Sequence, residues 1–228
     1  MKTIIAERPQ LDRAIADRIA AVLREKPEAA LALSSGRSTR GVYALLGDMC
    51  AAGELSFEKA SIFAVTELID PFGPSCAEAL GEALLSRIDL PKESFYVPPL
   101  EEPESYDRLI LEKGGLDLCL LGLGINGHIG YNEPATPFDS LTHRQKLTDA
   151  TKRQHLARGE KLPDYALTMG IKTIVSAKRC ILLATGREKA PAVYMMMYGK
   201  TDSFCPAAFL QMPWDQTVYL DREAAEKL

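Results

Sequence analysis

Two hydrophobic periods alternate along the chain. Short runs rich in apolar and β-branched residues occur at Thr3–Ala6, Leu31–Ser34, Ser61–Val65, Leu116–Leu123, Arg179–Thr185 and Thr217–Leu220. Between them apolar residues recur every three or four positions. Leu11, Ile15, Ile19 and Leu23 form one such stripe within Leu11–Arg24, and Val42, Leu45, Leu46 and Met49 form another within Val42–Ala52. Cys76–Ile88 and Lys189–Met197 read the same way. The first set predicts strands and the second amphipathic helices. Strands separated by helices imply βαβ units and an open, mostly parallel sheet flanked by helices, a Rossmann-like α/β architecture. Leu116–Leu123 is apolar throughout except for Asp117, which suits an interior strand buried on both faces. No composition break, repeat or linker divides residues 1–228, and the Pro-rich stretch Val97–Glu104 reads as a loop. One domain is expected.

Composition narrows the function classes. The 228 residues are 46% hydrophobic and 25% charged, ordinary for a soluble globular domain with a core large enough to need no disulfide or metal. A net charge of −4 leaves no nucleic-acid footprint, although basic pairs at Arg37/Arg40 and Lys152/Arg153 would suit a small anion. The five cysteines are widely spaced and form no CxxC pair, so reduced thiols are expected. The first ten residues hold too short an apolar run for a signal peptide. No run reaches the roughly 18 apolar residues of a membrane span. The expected location is the cytoplasm.

In open α/β sheets ligands bind beyond the carboxyl ends of the strands, so four post-strand segments carry the candidate chemistry. The first, Ser34 to Gly41, offers hydroxyls at Ser35, Ser38 and Thr39, a flexible Gly36, the guanidinium of Arg37 and the start of a helix. Such a loop fits a phosphate, and it equally fits a capped strand–helix turn. The second, Gly122 to Pro134, crowds Asn126, His128, Asn132 and Glu133 onto a glycine-rich loop. His128 is suited to proton transfer near neutral pH, with Glu133 placed to orient it. The third, Thr185 to Lys189, puts Lys189 at a helix start, where it suits a bound anion or is simply solvated. The fourth is Phe63 to Asp70.

These segments carry a resemblance. GLGINGHIGYNEP is similar to the GxGxDGHxxFNEP signature of glucosamine-6-phosphate deaminases, and GGLDLCLLGLGINGHIGYNEP looks closer still to the galactosamine-6-phosphate isomerase branch. LSSGRSTRGVYALL resembles the family's phosphate loop, PDYALTMGIKT its PKYALTVGVGT, ATGREKA its (V/L)xGxxKA and PAAFLQ its (P/T)xSxLQ, in the family's order over nearly the whole chain. The resemblance implies an amino-sugar 6-phosphate isomerase/deaminase that opens the sugar ring, moves a proton from C2 to C1 and releases ammonia. It assigns His128 the proton shuttle, with Glu133 and Asn126 beside it, and places the phosphate on Ser35, Gly36, Arg37, Ser38 and Lys189, with Arg158 as a further contact. It implies no cofactor and no metal, a small-molecule sugar phosphate as partner, no nucleic acid or membrane, and leaves a homo-oligomer open.

Two positions depart from the pattern. Asn126 stands where glucosamine deaminases carry Asp, a change the galactosamine branch shares. VTEL stands where the family reads LDE(Y/W), so the aspartate that serves as the C2 base is Thr66 here. Glu67, the adjacent carboxylate, and Asp70 are the carboxylates within reach as substitutes. Two rivals follow: a 6-phosphogluconolactonase-like hydrolase, which would normally continue differently after the His, and a sugar-phosphate-binding homologue with reduced or lost activity.

Overall fold

The computed structural model describes residues 2–212 and 215–228. Among these residues the order is β1 (Lys2–Ile5), α1 (Arg8–Glu25), β2 (Ala30–Leu33), α2 (Arg40–Ala51), β3 (Ser61–Ala64), β4 (Thr66–Leu68), α3 (Cys76–Ala83), β5 (Phe95–Tyr96), α4 (Ser105–Glu112), β6 (Leu118–Gly122), β7 (His143–Lys146), α5 (Asp149–Leu156), β8 (Tyr165–Thr168), α6 (Ile171–Val175), β9 (Arg179–Ala184), α7 (Ala190–Tyr198) and β10 (Asp215–Leu220). Seven strands form one sheet in the order β1-β10-β9-β6-β2-β3-β5, with every neighbouring pair parallel. Side chains alternate across a strand, and here both faces are apolar. Leu31, Leu33, Ile62, Leu118, Leu120, Ile181 and Leu183 pack against α1 and α2. Ala32, Phe63, Cys119, Leu121 and Leu182 pack against α4, α6 and α7 on the other side. The result is one three-layer α/β domain, as the alternating periods predict. No helix among the described residues is long and apolar enough to cross a membrane.

The strand order positions the site. From β2 the chain proceeds to β3 and β5 on one side, and from β6 to β9 and β10 on the other. The loops leaving β2 and β6 therefore diverge, which opens a crevice at their carboxyl ends.

The structure differs from the sequence expectations in three places. A second, antiparallel sheet, β4-β8-β7, lies beyond the main one. Its outer strand, HRQK, has no apolar alternation to announce it. The helix expected over Cys76–Ile88 breaks at Leu84, whose φ of −136° leaves the helical region, and resumes as a 3₁₀ turn at Leu85–Arg87. The strand expected over Leu116–Leu123 narrows to Leu118–Gly122, interior between β2 and β9.

Asp117 anchors the amino end of that strand. Its carboxylate is buried below the start of β6 and accepts from Lys26 Nζ and Lys178 Nζ, both at 2.8 Å, and from the Ala30 backbone N–H at 2.9 Å. Burial pushes its pKa up, but the hydrogen bonds from Lys178, Lys26 and Ala30 outweigh it and hold the pKa below the usual aspartate value. Its contribution to stability is fully present above the unfolded pKa near 3.9 and is lost as pH falls through the depressed folded value. Asp117→Asn should destabilise the fold by about 1–3 kcal/mol at pH 7, read as a lowered urea midpoint. The gap from wild type should narrow in acid, and a variant equal to wild type at pH 7 would refute the role.

Candidate active site

Because β9, β6 and β2 are neighbours, the turns that follow them emerge side by side. The central turn begins where β6 ends. The Gly124 N–H donates to the His128 carbonyl at 2.9 Å, and the imidazole of His128 folds back over the bare α-carbon of Gly124, where a Cβ would overlap the ring. Gly127 makes the reversal at φ +84°, a conformation glycine adopts without penalty. Asn132 pins the far end of the loop, donating to the carbonyls of Ile129 at 2.9 Å and Met169 at 2.8 Å.

Three of the expected residues meet here as a chain. Asn126 Nδ2 donates to Glu133 Oε2 at 2.7 Å, and Asn126 Oδ1 lies 2.7 Å from His128 Nδ1. The orientation of the amide is fixed twice: Glu133 can only accept, and the His128 backbone N–H, 3.2 Å from the same Oδ1, can only donate. His128 Nδ1 therefore carries the proton and Nε2 presents a lone pair. Glu133 does not touch the ring as closely as sequence suggests, standing 3.7 Å from Nδ1. It acts through Asn126. Its other oxygen accepts from the Thr148 N–H at the start of α5, and Thr151 Oγ1 on that helix lies 3.4 Å from His128 Nδ1. Glu133 is 1% exposed and His128 7%. Burial lowers the His128 pKa to about 4; the charge of Glu133 opposes the shift, while Lys189 and His155 add to it. At neutral pH the imidazole is an uncharged base.

Cations gather on either side. After β2, the 3₁₀ turn Arg37–Thr39 starts at Gly36, lacks a side-chain cap and leads into α2. After β9 the pattern repeats: the turn Arg187–Lys189 starts at Gly186, which has no side-chain cap of its own and whose N–H donates to Asp221 at 2.9 Å, and leads into α7. The first N–H groups of such turns have no intrahelical acceptor and attract anions. Thr39 Oγ1 and Tyr43 OH brace the first loop through the Ser34 carbonyl at 3.1 and 2.6 Å. Ser35 and Ser38 are half-buried, and Gly36 and Arg37 are exposed. Lys189 is 6% exposed and donates from Nζ to the Leu123 carbonyl at 2.6 Å, which joins the turn after β9 to the end of β6. Burial, reinforced by the Arg158 charge, lowers its pKa to about 8. Arg158 follows α5 and contacts Glu188 at 3.0 Å. Arg37 NH1 lies 3.8 Å from Glu160, whose carboxylate also accepts from His155 Nδ1 at 2.8 Å.

Thr66 and Glu67 part company. Thr66 is buried, its Oγ1 3.4 Å from Cys76 Sγ and its methyl group beside Gly130. Glu67 turns to α3, where its oxygens accept from the N–H groups of Leu68, Cys76 and Ala77 at 2.6, 2.8 and 3.0 Å. The carboxylate that sequence offers as a substitute base is engaged as a helix cap. Thr148, Thr151, His155 and Glu160, which lie outside the four post-strand segments, are brought to the crevice by α5 and its following turn. The spacing Thr148-x-x-Thr151, with Thr148 capping α5 through the Thr151 N–H, was the available signal.

The His128 environment makes stability depend on pH. A histidine near 6.5 when unfolded and about 4 when folded adds stability that is fully present above 6.5 and is lost as pH falls through 4. This one residue should remove on the order of 3 kcal/mol across that window. His128→Gln should flatten the acid limb of Tm against pH between 6.5 and 4, and an unchanged slope would contradict the assignment.

Comparison with known proteins places this geometry. The family model for glucosamine-6-phosphate isomerases/6-phosphogluconolactonase matches residues 7–219. A glucosamine-6-phosphate deaminase of Halalkalibacterium halodurans is 37% identical over 218 residues, covering 90% of this chain and 89% of that protein. One of Hahella chejuensis is 37% identical over 240 residues, covering 100% and 92%. The solved structure of a monomeric glucosamine-6-phosphate deaminase superposes with a TM-score of 0.94 at 33% identity over the whole of both chains. The 6-phosphogluconolactonase of Trypanosoma brucei, at 20% identity and a TM-score of 0.79 over 100% of this chain and 98% of that one, shares the fold. The chain belongs to the glucosamine-6-phosphate isomerase/6-phosphogluconolactonase family.

Proposed function

We propose that the chain is an amino-sugar 6-phosphate isomerase/deaminase acting on galactosamine 6-phosphate or glucosamine 6-phosphate in amino-sugar catabolism. The observation that carries this reading is the uncharged His128, with a free Nε2 and its Nδ1 proton held by Asn126, beside the uncapped turns of Arg37 and Lys189. The phosphate lies on Ser35, Gly36, Arg37, Ser38 and Lys189, with Arg158 closing from the turn after α5. Held there, the sugar presents its ring to His128, and the fixed geometry supplies part of the rate. Nε2 takes the O1 proton and returns it to O5 as the C1–O5 bond breaks, giving the open aldehyde. A proton then moves from C2 to C1, and water adds to the resulting C2 imine to release ammonia and the ketose phosphate. The galactosamine preference rests on the wider motif around Asn126, and the location of the enzyme is the cytoplasm.

Thr66 favours a second reading, a homologue with reduced turnover. A threonine is not a base at neutral pH, and Glu67 is committed to α3. Incubation with each amino-sugar phosphate, scoring ammonia and ketose phosphate separately, tests the primary reading; no product from either would remove it. Thr66→Asp should raise turnover by roughly 10²-fold or more if the base is missing. Glu67→Gln should lower stability through the lost cap rather than abolish turnover, and robust wild-type turnover abolished by Glu67→Gln would instead make Glu67 the base. Lys189→Ala should weaken sugar-phosphate binding by about 1.5–3 kcal/mol in calorimetric titrations, the value of a charge-assisted hydrogen bond. Unchanged affinity would take Lys189 out of the site.

A further inference from the structure

We infer that Glu188 is an internal anion that occupies the mouth of the phosphate site until a substrate phosphate displaces it; this rests on the reading of that mouth as a phosphate site. Glu188 is 52% exposed and free to extend into solvent, yet its side chain folds back across its own turn. Oε1 accepts from Arg158 NH2 at 3.0 Å. Oε2 lies over Gly186, so that a Cβ on Gly186 would come within 2.5 Å of it. The same carboxylate is near enough to Lys189 for its charge to work against the burial that lowers the lysine's pKa. One carboxylate thus lies over the bare α-carbon of the glycine at the head of the turn, whose own N–H donates to Asp221 at 2.9 and 3.1 Å, and engages the guanidinium of the turn after α5 and the field of the buried lysine. The guanidinium and the lysine are the features the phosphate reading uses on this side of the crevice.

The neighbouring pair gives the contrast. Arg187, one residue earlier, turns away and meets Glu226 at 2.9 Å, with side chains 74% and 49% exposed. Removing the Glu226 charge, which faces the same turn through Arg187, changes the net charge by the same amount without touching Arg158 or Gly186. The Arg158–Glu188 contact is half-exposed, and such pairs are weak. It holds the guanidinium beside Lys189, whose pKa the Arg158 charge lowers. It is weak enough for a phosphate dianion, with more oxygens and more charge, to displace. On binding, Arg158 changes partner from Glu188 to phosphate, and the turn after α5 closes on the ligand. A competing internal anion lowers apparent affinity by the fraction of molecules it occupies.

The test titrates inorganic phosphate by calorimetry, at low ionic strength, into wild type, Glu188→Gln, Glu226→Gln and Lys189→Ala. Glu188→Gln should bind about 2–5-fold more tightly, as expected for loss of a half-exposed pair. Glu226→Gln should match wild type, and Lys189→Ala should bind more weakly. A Glu188→Gln affinity equal to or below wild type, with Lys189→Ala still impaired, rejects the placeholder and leaves the phosphate site standing. Equal gains in Glu188→Gln and Glu226→Gln also reject it, because the effect is then one of net charge. Failure of both wild type and Glu188→Gln to bind phosphate removes the site and the placeholder together.

Discussion

The candidate site depends on the burial of β6. Leu118, Cys119, Leu120 and Leu121 are apolar toward both helix layers, so this strand has no solvent face and must lie between two others. Its parallel pairing with β2 and β9 brings the carboxyl ends of all three strands into line. Beyond Gly122 the ladder stops, and the Leu123 carbonyl takes its hydrogen bond from the Lys189 ammonium. A buried lysine is unfavourable unless its protons are used, and a buried carbonyl is unfavourable unless it accepts. Each satisfies the other, and the contact fixes the spacing between the cationic turn after β9 and the His128 loop. Gly124 completes the arrangement, since any side chain there would occupy the space of the imidazole.

Within that frame Asn126 controls the charge state of His128. An amide passes hydrogen bonding from Glu133 to the ring without placing a charge against it. A carboxylate at position 126 would stand at the same distance from Nδ1 and favour the imidazolium. With Asn126, the nearest anion is one link further away, and burial prevails. The lone pair on Nε2 follows from this balance. So does the importance of Thr148 and α5, because the buried Glu133 needs the Thr148 N–H for its second oxygen. The His128 loop and the helix that covers it are joined through that one carboxylate.

Much of this was legible in the residues, for identifiable reasons. The interior strands could be read because burial on both faces demands unbroken apolar runs, and α1 because Leu11, Ile15, Ile19 and Leu23 all reach the core. Asn126, His128 and Glu133 could be read because their loop is short and glycine-rich, which forces them together. The second sheet was not legible: β4 is three residues long and β7 is polar on both sides, so neither carries a period. Glu67 was misleading for a similar reason. Its position beside Thr66 implies proximity to the crevice, but successive side chains on a strand face opposite ways. The capping role depends on α3 beginning at Cys76, nine residues later, a long-range fact that spacing does not encode.

The environment of Thr66 bears on what the fold tolerates at the position where the sequence resemblance implies a carboxylate. Thr66 is buried opposite Thr168, with its hydroxyl near the Cys76 thiol and its methyl group against Gly130. Burial raises the Cys76 pKa to about 11, so the thiol is uncharged at neutral pH. Among the described residues no cation pairs with Thr66, and an aspartate in its place would be desolvated beside the Cys76 thiol. Such a group is costly in the empty protein and is compensated when a cationic ligand arrives. The ammonium at C2 of an amino sugar is a cation of that kind. A carboxylate at position 66 would therefore be stabilised by such a ligand at the expense of the unliganded fold, whereas threonine removes the buried charge and keeps the packing. The neighbouring Glu67 shows the opposite solution for a carboxylate in the same strand: three backbone N–H groups satisfy it permanently, with no ligand required. The two adjacent positions thus separate a carboxylate that stabilises the fold from one whose stabilisation would have to come from substrate.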